Sequence, residues 1–205
     1  MELLEGTHLL ETPLVLRPLP REFFSRDSVS VARDLLGHFL VHETPEGRCV
    51  GRIVETEAYG GEDDPASHAR VRTPRSEVMW GAPGTAYVYF IYGNHHCLNV
   101  VTEPEGIPGA VLIRALEPLE GITGMQRRRE VGKLTLLTSG PGRLTQAMGI
   151  TLAHNGWDLT RPPLYIADGS PGALEVLAAP RVGVIAARDR LWRFYIRGNP
   201  FVSRR

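Results

Sequence analysis

Residues 37–59, "GHFLVHETPEGRCVGRIVETEAY", alternate apolar and polar positions on both sides of a Pro-Glu-Gly turn. Alternation with a turn signal between two runs predicts a β-hairpin, here ending near Tyr59. A second hairpin is predicted in "TAYVYFIYGNHHCLN", residues 85–99, and a further strand in "GAVLIRALEP". Helical signals are shorter. In "DSVSVARDLLGHFL", Asp27 or Ser28 can cap a helix that stops at Gly37. In "RTPRSEVMWGAPG", Thr73 can cap a short helix with Pro74 at its first position and Gly81 beyond its end. Two more helices are predicted, one from about Leu119 to Glu130 and one that follows "TSGPG" and stops at Gly149. "PRVGVIAA" and "RFYIRG" read as late strands, and "GGEDDPASHARV" as a loop. Strand and helix do not alternate in βαβ fashion, which predicts an α+β fold with a mostly antiparallel sheet and helices around it.

Composition adds bounds. A chain of 205 residues can bury one core, and neither a repeat nor a linker divides it, so a single domain over 1–205 is expected, with 1–20 less regular. No apolar run reaches transmembrane length, and "MELLEGTHLL" lacks the regions of a signal peptide, which predicts a cytoplasmic protein. Two cysteines make no disulfide framework. The net charge of zero conceals an asymmetry. Residues 1–120 hold 10 basic and 18 acidic groups and residues 121–205 hold 13 and 5, so the second part carries +8. Arginine makes up 22 of the 23 basic residues, which suits bidentate phosphate contact, though a codon bias would produce the same count.

The chemistry-bearing residues are individually ambiguous. Glu55 and Glu57 are two apart, so a strand projects both to one face. Such a pair ordinarily marks a solvated strand end, and a carboxylate beside Tyr59 and two glycines also suits a general base. His95, His96 and Cys97 are consecutive, so on a strand they cannot converge on one metal ion, and no metal or other cofactor is expected. Ser139 and Gly140 before a helix, followed by Arg143, form either a plain loop-to-helix join or a single-phosphate site.

Taken in order, "GRIVETEAYGG", "DDPASHA", "RTPR", "GTAYVYFIYG", "CLNV", "VLIRALEPLEG", "TSGPGRL", "PRVGV" and "RFYIRGNPFVS" resemble the alkyladenine (3-methyladenine) DNA glycosylases from about Phe23 to Ser203. The resemblance implies a curved sheet with a protruding hairpin that enters the minor groove of duplex DNA. At its tip, Tyr92 matches the residue that fills the gap left by an extruded nucleotide. Tyr59, His68 and Tyr89 match residues that sandwich the flipped base, and Asn99 one that crowds the 2-amino group of guanine. Glu57 matches the carboxylate that activates water, Arg114 an arginine that holds this water, and Val182 a residue whose backbone carbonyl does likewise. Arg143, with Ser139 and Gly140, falls at a phosphate contact.

The implied protein is a monomeric, monofunctional enzyme acting on double-stranded DNA with damaged purines, away from any membrane and at the nucleoid in a bacterial host. Asn94, His95 and His96 depart from the apolar or aromatic residues common past the tip in the better-known relatives. A partner that docks through a long N-terminal extension is not expected. The competing readings are a non-catalytic nucleic-acid-binding module on a related scaffold and a metal-dependent hydrolase using His95 or His96. One register expectation follows from the pocket assignment. A Gly93-Asn94-His95 loop pairs Tyr92 with His96 and Tyr89 with Asn99, whereas a two-residue turn separates Tyr89 and Asn99 onto opposite faces.

Overall fold

The computed structural model describes residues 16–91, 93 and 95–203. Its frame is an eight-stranded antiparallel sheet that curls into a half-barrel with a few helices around it. A single turn of helix, α1 (Arg21–Phe24), precedes α2 (Ser28–Asp34). Asp27 caps α2 as the sequence predicts, its carboxylate accepting from the amides of Val29 and Ser30. The first hairpin is β1 (Phe39–Thr44) and β2 (Gly47–Tyr59), and the second is β3 (Ala86–Ile91) and β4 (His95–Val101). They are followed by β5 (Ala110–Glu120), α3 (Ile122–Arg129), α4 (Pro141–Met148), β6 (Leu164–Ala167), β7 (Val176–Ala179) and β8 (Arg193–Ile196).

β2 is the axis. One edge pairs with β5 along most of its length, while the other pairs first with β1 and then, over Glu55–Glu57, with β8. A single strand thus serves two neighbours on one edge, which opens the sheet there. On the core side, α2 and its C-cap Leu35 pack Val31, Ala32 and Leu35 into one cluster with Ile53, Ile113 and Phe194. Thr56 faces this side and donates its hydroxyl to the Ala32 carbonyl at 2.6 Å, pinning β2 to the helix. Alternation then turns Glu55 and Glu57 to the opposite face.

Four expectations are corrected. The helix predicted from Thr73 is only a 3₁₀ turn over Glu77–Trp80, because Thr73 and Ser76 spend their hydroxyls on each other. α3 starts at Ile122, since Leu119 and Glu120 finish β5. "PRVGVIAA" is irregular rather than a strand. Gly183 sits at φ +77° and Ala187 at φ +51°, and the Val182 amide is spent on a side chain instead of a ladder. Finally, the second hairpin closes between Ile91 and His95, so Tyr89 pairs with Cys97 and Tyr87 with Asn99. This is two residues from the expected register. His95 belongs to the strand because its ring packs against Gly142 at the start of α4, where even a Cβ would lie 2.8 Å from the imidazole. A shift of two preserves side-chain parity, so Tyr89 and Asn99 still share a face.

Candidate active site

The register alone assembles a row of side chains across five strands. Tyr87 pairs with Asn99, Asn99 with Leu112, Leu112 with Glu57 and Glu57 with Arg193. All five therefore project to one face of the sheet. Beside this row the β2–β5 ladder is irregular on both sides of Glu55, where the pairing skips Val54 and Arg114. The irregularity lets Arg114 reach both carboxylates, donating Nε–H to Glu55 at 3.1 Å and Nη1–H to Glu57 at 3.2 Å.

Glu57 is fully buried. Its Oε2 accepts from the Tyr59 hydroxyl at 2.9 Å as well as from Arg114, and its Oε1 accepts the Val182 amide at 2.6 Å. Three donors from three segments thus fix one carboxylate. Glu55 is equally buried, which overturns its reading as a solvated strand end. It accepts from Arg114, from Arg193 at 2.8 Å, and from the amide and hydroxyl of Ser203 at 2.7 and 3.0 Å. Burial alone would weaken the charge on Arg114, but Glu57 and then Glu55 outweigh it and hold the guanidinium more firmly protonated than usual.

Above these groups opens a cavity of about 610 Å³, within the usual range of ligand sites of roughly 300–1,000 Å³. Tyr59, His68, Tyr89, Asn99, Arg114, Val182, Ser139, Gly140 and Arg143 all line it. Glu57 lies just behind this lining, and Tyr92 lies outside the described residues. The aromatic wall is organised edge to face. His68 meets Tyr89 at 4.7 Å between centroids with planes 72° apart, and its Nδ1 lies 3.0 Å from the Tyr87 hydroxyl. Loss of water contact, then the Arg75 charge, pushes the His68 imidazole below its ordinary range and favours the neutral ring. Burial and the neighbouring Glu57 raise Tyr59, while burial and then Cys97 raise Tyr89, so both phenols keep their protons. Asn99 is buried and anchored by its Nδ2–H donating to the Tyr87 carbonyl at 3.0 Å.

At the mouth, Arg143 donates to the carbonyl and hydroxyl of Ser139 at 3.3 and 3.2 Å, just ahead of α4. Gly140 precedes that helix with φ +147°, a conformation closed to other residues without strain. Arg129 from α3 lines the cavity beside it. Burial and then the Arg143 charge lower its hold on the proton. Sequence reading missed Arg129, whose place in "QRRRE" marks only a charged helix face. His95 rests on Gly142 and also lines the cavity, while the His96 ring packs on Phe90 at 5.0 Å.

A family model described as "Methylpurine-DNA glycosylase (MPG)" matches residues 22–200. The chain belongs to the methylpurine-DNA glycosylase family. Proteins named "Putative 3-methyladenine DNA glycosylase" are similar to it over nearly their whole length. One from Prosthecochloris aestuarii is 52% identical over 90% of either chain. One from Salinibacter ruber is 51% identical over 92% of this chain and 97% of its own. One from Methanocella arvoryzae is 52% identical over 91% and 96%. This glycosylase is therefore a hydrolase of N-glycosyl bonds rather than a binding module. Among its described residues no helix is long and apolar enough to cross a membrane.

Proposed function

We propose that this glycosylase extrudes alkylated or deaminated purines from duplex DNA and hydrolyses the glycosidic bond with a water activated by Glu57. The observation that carries the reading is a fully buried carboxylate, held by Tyr59, Arg114 and Val182, directly behind an aromatic cavity. Each carboxylate oxygen offers two lone-pair sites. Oε2 already accepts two hydrogen bonds, whereas Oε1 accepts one, from Val182. The attacking water therefore belongs on Oε1, where Glu57 takes its proton as the oxygen closes on C1′ of the sugar. The same negative charge favours the oxocarbenium-like transition state. Arg114 orients the carboxylate and helps hold the water. Val182 acts through its amide on Glu57, with its carbonyl as a second acceptor for the water.

The extruded base stacks among Tyr59, His68 and Tyr89. Aromatic stacking of this kind contributes roughly 1–3 kcal/mol per base and tolerates different purines. Asn99 rejects a guanine 2-amino group by crowding it. Arg143 and Arg129 meet the backbone phosphate at the mouth, and Tyr92 fills the vacated stack, offsetting part of the few kcal/mol of unstacking. The enzyme works as a monomer in the cytoplasm and leaves an intact abasic site. Strand cleavage by a glycosylase needs an amine that forms a Schiff base. The single lysine of the chain, Lys133, does not line the cavity. Glu57→Gln tests the whole scheme. Single-turnover excision should fall by about 10²–10⁴-fold or more with DNA affinity retained. An unchanged rate, or a protein–DNA adduct trapped by borohydride, would overturn it.

A further inference from the structure

Behind Tyr59 lies an ion pair that the hydrolysis does not use. Arg181 has a side chain with no exposed surface, and so does its partner Asp64. The guanidinium donates to both Asp64 oxygens, at 2.6 and 2.8 Å, and to the Ala58 carbonyl at 3.0 Å. Asp64 also accepts the amides of Gly60 at 3.0 Å and Ala66 at 3.2 Å. The guanidinium carbon of Arg181 lies 4.8 Å from the centroid of Tyr59 and 5.1 Å from that of Trp192. Arg190 covers Trp192 at 4.5 Å and stands 3.9 Å from both Asp63 and Asp64. Tyr59, Arg181, Trp192 and Arg190 thus form a ladder of alternating rings and cations running out from the cavity. Tyr59 lines the cavity and Arg181 does not, so the guanidinium backs the ring.

A buried ion pair is weak support for stability, because desolvation of both charges offsets most of their attraction. Here the placement has a chemical consequence. A cation held over one face of a tyrosine draws on the quadrupole that a cationic base would use on the other face. A base stacked there sits roughly 8 Å from the guanidinium, where charges still interact appreciably in a protein interior. Asp64, bonded edge-on to Arg181, cancels most of that field.

We infer that the Asp64–Arg181 pair sets how the pocket weighs cationic against neutral bases, through the charge it places behind Tyr59. The inference rests on the reading that Tyr59 stacks the extruded base. Both residues are specificity-determining positioning groups and neither touches the substrate.

The test measures affinity, in a Glu57→Gln background that cannot turn over, for duplexes carrying one 3-methyladenine (cationic) or one hypoxanthine (neutral), neither of which has a 2-amino group. Arg181→Met should raise the cationic-to-neutral ratio by about threefold to tenfold, and Asp64→Asn should lower it by a similar factor. Arg190→Gln, at the solvent end of the ladder, should raise it by a smaller factor and folds even if Arg181→Met does not. A purely structural role would weaken both duplexes together and leave the ratio in place. Shifts of one sign in the Asp64 and arginine variants, or an unmoved ratio, would overturn the inference. The underlying reading is tested separately, because wild-type protein that fails to release 3-methyladenine, or a Tyr59→Leu variant that releases it normally, would sink that reading first.

Discussion

Two glutamates separated by one residue carry different burdens in this site. Glu57 is held by Tyr59, Arg114 and Val182, all three of which line the cavity, so it faces the space a base would occupy. Glu55 accepts three hydrogen bonds on Oε1 and one on Oε2, joining β5, β8 and the C-terminal segment at Ser203. Its work is structural, so Glu55→Gln should not be the mild change that a solvated strand end would allow. Removing its charge withdraws a carboxylate from two buried arginines, Arg114 and Arg193, where Glu57 pairs with Arg114 alone, and breaking a buried pair from one side costs about 3–5 kcal/mol. A thermal melt should show a fall of many degrees, whereas Glu57→Gln leaves Arg114 its Glu55 contact and should melt closer to wild type. Equal melting of the two variants would remove this division of labour.

At the scale of elements, the second hairpin and α4 act as one unit. Thr145 of α4 donates its hydroxyl to the His96 carbonyl at 2.9 Å, and His95 rests on Gly142. The His95 ring and the His96 backbone carbonyl therefore tie the hairpin to the helix that presents Arg143. Gly142→Val places a branched side chain where the imidazole lies, and overpacking of this kind costs typically 1–3 kcal/mol. The expected result is a displaced hairpin, with excision slowed most on well-paired lesions, which are the most expensive to unstack. Equal slowing at paired and mismatched lesions would argue that the hairpin's position does not matter to extrusion.

Over the whole molecule, the +8 of residues 121–205 is partly spent inside the protein. Arg127 and Arg128 bind Glu46, Arg181 binds Asp64, and Arg197 binds Glu175. Among the described residues, Arg129 and Arg143 at the cavity mouth meet no carboxylate within ion-pair distance, which leaves them for phosphate. Two neutralised phosphates give a slope of about −2 for log affinity against log salt on undamaged duplex, and a flat dependence would exclude the mouth as a DNA contact. Stability should respond to pH through three buried histidines. Burial holds His38, His42 and His154 below the ordinary range near 6.5. The unfolded chain then binds protons that the folded one refuses, so stability is complete above about pH 6.5 and falls as the pH drops below it. Melting temperatures at pH 7.5 and pH 5.5 check the sign, and a higher value at the lower pH would contradict it.

Alternation, caps and turn residues determined much of this architecture without tertiary information. They specify the two hairpins, β5, the Asp27 cap and the stop of α4 at Gly149, because each depends on bonds between near neighbours in the chain. The order of motifs named the family and nine of the residues that line the cavity. Four things needed the folded chain. β6 and β7 are not read from the sequence, although β8, equally four residues long, is read from "RFYIRG". The hairpin register depends on His95 finding Gly142 in a helix more than forty positions away, so the expectation drawn from the pocket assignment misplaced it by two. The irregular run at Val182 exists because a buried carboxylate recruits its amide. The burial of Glu55 and Glu57, and of the Asp64–Arg181 pair, follows from strands and loops distant in sequence meeting over one face of β2. A charge pattern reports which groups a chain owns, while their solvation and pairing are decided only when the sheet closes over them.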